Sequence, residues 1–84
     1  MRLLLVCSSG GHLLQLYRLA DWWKRHHRAW VTFQKPDALS LLRDEQVYWA
    51  FHPTTRNIPN LIRNLRLALR VVRQKRPDLV VSSG

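Results

Sequence analysis

Three stretches of this 84-residue chain carry residue types that could hold a ligand. The first is Ser8, Ser9, Gly10, Gly11 and His12. Glycines let the backbone come close to a ligand, and the amides that open a helix attract phosphate. His12 would then donate to a phosphate oxygen or a sugar hydroxyl. The stretch falls short of the full G-x-G-x-x-G fingerprint, and a tight turn capped by Ser9 accounts for the same residues. The second stretch is Pro53, Thr54, Thr55, Arg56 and Asn57. Arg56 could clamp a phosphate with its planar fork, and Asn57 could bind a sugar hydroxyl or cap the next helix. The third is a row of arginines, Arg63, Arg66, Arg70 and Arg73, spaced to share one helical face. Leu61, Ile62, Leu65, Ala68, Leu69 and Val72 lie on the opposite side, and no acid interrupts the helix. Such a row suits anionic lipid headgroups, at about 1 kcal/mol per basic residue. A solvated outer face is the commoner use of one.

Other chemistries find little support. No nucleophile, base and orienting group stand in a recognisable spacing. His26 and His27 fall at a basic helix end, and Asp37, Asp44 and Glu45 form no evident acid–base pair. The single cysteine, Cys7, cannot form an internal disulfide, which fits a reducing cytoplasm, and no zinc-ligand spacing is present. Neither a metal nor a cofactor is expected. The net charge of +9, from 14 Lys/Arg against 5 Asp/Glu, favours an anionic partner. Nucleic acid is not the expected one, because the arginines line a helix rather than flank aromatic stacking residues. The apolar run at residues 3–7 is too short for a signal peptide or a transmembrane helix, which needs about 20 residues.

The elements that must position these groups alternate along the chain. After Arg2, residues 3–7 form an unbroken apolar run, the mark of a strand buried on both faces of a parallel sheet. Leu13, Leu16, Tyr17, Ala20 and Trp23 recur at helical spacing up to the basic cluster at residues 24–27. Of Trp22 and Trp23, only one can face the core squarely. Residues 29–33 predict a second strand, Pro36 a helix start, and residues 47–51 a third strand. A helix over residues 59–75 and a strand over 79–82 complete a β-α-β-α-β-α-β order. That order implies an α/β, Rossmann-like fold with helices on both faces of a parallel sheet. Residues 1–84 read as one incomplete domain, since Ser83 and Gly84 resemble the start of a turn leading into another helix.

Residues 5–13, 30–33, 47–50, 53–57 and 60–64 together resemble the bacterial PssD-type polysaccharide biosynthesis proteins. These are relatives of the membrane-associated subunit of the two-subunit UDP-GlcNAc transferase of dolichol-linked oligosaccharide synthesis. The resemblance implies the N-terminal half of a GT-B-type glycosyltransferase, split between two chains and peripheral to the cytoplasmic face of the plasma membrane. A PssE-like partner would carry most of the UDP-sugar site. By that resemblance Ser9, Gly10, Gly11 and His12 form the first glycine-rich loop, facing the diphosphate of a lipid-linked sugar acceptor. Ser83 and Gly84 begin a second loop, and Thr55, Arg56 and Asn57 fall in a further family motif. Family members continue past the position of Gly84, so this polypeptide is not expected to transfer sugar by itself. A non-catalytic, membrane-peripheral or scaffolding module is the alternative.

Overall fold

The computed structural model describes residues 1–8, 10–50 and 58–83, with the side chains of Ile58 and Leu61 left aside. Strand β1 (Arg2–Cys7) leads into helices α1 (Gly11–Tyr17) and α2 (Ala20–Trp23), then strand β2 (His27–Phe33). Helix α3 (Pro36–Leu41), strand β3 (Val47–Ala50), helix α4 (Ile58–Lys75) and strand β4 (Leu79–Ser83) follow. The strands make one all-parallel sheet in the order β3-β2-β1-β4, an α/β arrangement consistent with a Rossmann-like fold. Phe51, expected to end the third strand, lies outside the described residues.

Both faces of the sheet are apolar, which is why β1 shows no alternation. On one face Leu3, Leu5, Cys7 and Trp30 pack beneath residues of α1, α2 and α3, chiefly Leu13, Leu16, Trp23 and Ala38. On the other face Leu4 and Ala29 meet Leu67 and Val71 of α4. The single helix expected before the second strand is two short ones. The Leu16 carbonyl accepts both the Leu19 amide at 3.1 Å and the Trp23 indole N–H at 2.9 Å. That tightened turn swings Trp23 into the core, while Trp22 stays half-buried. Two cations, Lys24 and Arg28, then lie over the Trp23 ring. The strand expected at residue 29 begins at His27, which therefore belongs to β2 rather than to a helix end.

Helix α4 ends where Arg76 turns to a φ of 45°, the left-handed position that closes many helices, with Pro77 barring continuation. The chain then clips onto β1. Arg2 N–H donates to the Asp78 carboxylate at 2.8 Å and Asp78 N–H donates to the Arg2 carbonyl at 2.8 Å. This reciprocal pair sets β4 beside β1, with Leu4 opposite Val80.

The sequence pattern places the broad apolar side of α4 opposite its arginines, the usual core-facing arrangement. The structure seats a different sector on the sheet. Asn60, Leu67 and Val71 are buried, whereas Ile62, Leu65, Leu69 and Val72 are exposed. A helical wheel counts apolar residues but cannot know the rotation at which the chain docks. Matched substitutions test this packing. Leu67→Ala should cost about 3 kcal/mol of unfolding free energy. Leu65→Ala should change it by less than about 0.5 kcal/mol, as urea denaturation would show.

Candidate functional site

The glycine turn lies where β1 feeds α1, beyond the carboxyl ends of the strands, the edge at which open parallel sheets bind ligands. Gly10 occupies the cap position at φ 80° and ψ −136°, a backbone conformation that L side chains rarely adopt. Ser9 lies outside the described residues, and the cap residue itself has no side chain to contribute. A Cβ built on Gly10 or on Gly11 would meet nothing within 4 Å. The glycines therefore do not relieve crowding. At Gly10 the backbone angle needs a glycine, and no described residue crowds either position. His12 is exposed on the first turn of α1.

Two other elements reach this edge. Gly10 N–H donates to the Asp37 carboxylate at 2.6 Å, tying the turn to the first turn of α3. Asp37 has no acidic partner near it in the sequence to mark it as part of a site. Its usable signal was its place beside Pro36, just after the carboxyl end of β2. From the other side, Ser83 pairs in register with Cys7, and its hydroxyl donates to Gln15 Oε1 at 2.9 Å. Ser83 thus lies at the same carboxyl edge of the sheet as the glycine turn. Gly84 and the stretch holding Thr55, Arg56 and Asn57 lie outside the described residues. Beneath the turn, burial pushes the Cys7 thiol above its ordinary range. The Thr32 hydroxyl pulls the other way, and the Asp37 charge adds to the rise.

Of the acids singled out in the sequence, Glu45 does structural work. Arg28 grips Glu45 through two bonds, Nε to Oε1 at 2.7 Å and Nη2 to Oε2 at 2.9 Å. The buried Trp30 indole N–H donates to the same Oε1 at 3.0 Å. Burial by itself would raise the Glu45 carboxyl, but the bonds from Arg28 and Trp30, with the nearby positive charges, hold it below the usual range. A cavity of about 390 Å³ opens at the opposite, amino end of the sheet, lined by Arg2, His27, Arg28, Gln46 and Lys75 among others. It shares no residue with the glycine turn. The arginines of α4 lie apart from both, exposed along one flank of the helix, where Arg63 Nη1 donates to Asn60 Oδ1 at 3.4 Å.

No helix among the described residues is long and apolar enough to cross a membrane. Comparison with protein-family models, with curated proteins and with solved structures gave no match to this chain.

Two outcomes follow from the geometry. Gly10→Ala should lose about 1–3 kcal/mol of stability through backbone strain alone, since the added methyl meets no neighbour. Chemical denaturation gives the figure directly. A carboxyl depressed in the folded state stabilises above the unfolded carboxylate pKa, and that stabilisation fades as pH falls through the folded value. Stability curves on the acid side should therefore be flatter for Glu45→Gln than for the parent chain, and lower at neutral pH because the charged pair is broken.

Proposed function

We propose that this chain is the acceptor-side part of a two-subunit, GT-B-type glycosyltransferase of capsule or exopolysaccharide synthesis. In this reading a PssE-like partner presents a UDP-sugar, and the chain presents a lipid-diphosphate-linked sugar acceptor at the cytoplasmic face of the plasma membrane. The observation that supports the reading is that the glycine turn and Ser83 share one carboxyl edge, where no described residue crowds the glycines. A diphosphate would be met there by the amides of Gly11 and His12 and by the His12 imidazole. Asp37 already holds the Gly10 amide, so its role is to fix the turn rather than to contact phosphate. Helix α1 is only seven residues long and brings a modest dipole, so an imidazole and shaped backbone matter more than helix length.

The alternative, a module that binds no acceptor, leaves the uncrowded glycine turn at this edge without a use. A titration of the isotope-labelled chain with a short-chain polyprenyl diphosphate sugar separates the two by NMR. Shifts confined to residues 10–12 and Ser83, lost in His12→Ala with the fold intact, are the expected result. Equal shifts in the parent and His12→Ala, or none at all, would sink the acceptor assignment. Transfer itself is to be assayed on the complex with the partner subunit, where His12→Ala should lower the rate by about a hundredfold.

A further inference from the structure

The docking of α4 on the sheet leaves a surface that the sequence pattern alone hides. At about 100° per residue, Asn60, Leu67 and Val71 span a sector of about 40°, and this sector meets the sheet. Ile62, Leu65, Leu69 and Val72 occupy an arc of about 80° centred almost opposite that contact. They are 48%, 61%, 52% and 46% exposed, unusually high for four large aliphatic residues in one row. Arg63, Arg66, Arg70 and Arg73 fill the adjoining arc of about 80°, and all four are exposed. No acid lies anywhere on the helix.

The geometry points to α4 as an interfacial helix, lying flat on an anionic bilayer with Ile62, Leu65, Leu69 and Val72 inserted among the acyl chains and the four arginines at the lipid phosphates. The occupant follows from charge. A second copy of this chain would bring a like arginine arc against the first, on molecules each carrying +9. An anionic bilayer instead offers apolar depth for the aliphatic row and phosphate for the guanidiniums in a single plane. The sheet lies on the far side of α4, so the body of the protein does not obstruct the approach. The inference rests on the membrane-peripheral part of the reading above and is independent of its transfer chemistry. It also changes what the arginines do. They border an inserting surface rather than forming the docking face by themselves.

The test is sedimentation of the 84-residue chain with vesicles of phosphatidylcholine alone and of phosphatidylcholine mixed with phosphatidylglycerol. Binding to the mixed vesicles only is expected. The double variant Leu65→Ser/Leu69→Ser should weaken it about tenfold, and Arg66→Gln/Arg70→Gln roughly thirtyfold. All four side chains are exposed, so melting temperatures should stay close to the parent's. Leu69→Phe, which enlarges the inserting face, should strengthen binding. If the leucine pair and Leu69→Phe leave binding unchanged while the arginine pair abolishes it, insertion is overturned and an electrostatic peripheral contact survives. Failure of the parent chain to bind either vesicle overturns both the inference and the peripheral placement. A lipid-free dimer that Leu65→Ser/Leu69→Ser breaks, without vesicle binding, assigns the row to a second copy and overturns the bilayer.

Discussion

A parallel sheet must be covered on both faces, because its strands are apolar on both sides and its crossovers leave helices on each. With four short strands, this requirement governs nearly everything else in the molecule. One face is met by three short helices whose contributions converge on a pair of tryptophans. Trp23 and Trp30 pack edge to face with their rings 5.3 Å apart, and each buried indole N–H finds an acceptor. The acceptor for Trp30 is Glu45, itself gripped by Arg28, so burial of a large ring and pairing of a half-buried charge depend on one another. Removing either partner would leave a polar group without compensation in a poorly solvated place.

The other face is covered far more thinly. Helix α4 presents Leu67 and Val71 to Leu4 and Ala29, while Ile62, Leu65, Leu69 and Val72 among the described residues stay exposed. Val80, which lies opposite Leu4 in the register, is more than half exposed because the helix does not extend over β4. The fold thus combines a well-anchored side, built on aromatic packing and satisfied donors, with a side held by few contacts. The exposed aliphatic residues on the second side sit next to the arginines of the same helix.

At the carboxyl edge the same economy of elements places the candidate site. The Arg2–Asp78 clip sets β4 beside β1, and that pairing carries Ser83 to the carboxyl edge that holds the glycine turn. From the other side, α3 begins close enough to β1 for Asp37 to hold the Gly10 amide. The turn itself is held by α3, while β4 bonds to the helix that follows the turn. Its geometry is therefore as stable as the sheet that aligns them.

The sequence by itself determined an α/β chain with parallel strands, the two-sided burial of β1, the start of α3 at Pro36, and a glycine-bearing turn after β1 whose Gly10 takes a positive φ. These rest on local chemistry: unbroken apolar runs, a fixed proline φ, and backbone angles that a Cβ opposes. It also limited the tryptophan pair to one buried ring, since adjacent helical positions point about 100° apart. Tertiary structure alone decided which ring, because the kink at Leu16–Leu19 depends on the Trp23 indole finding a carbonyl within the folded core. It alone brought Asp37 to Gly10 across 27 positions and Ser83 to Gln15 across 68. It alone chose the sector of α4 that meets the sheet. Helical periodicity shows how many apolar residues a face holds, but the rotation of a docked helix is set by where the chain enters and leaves it.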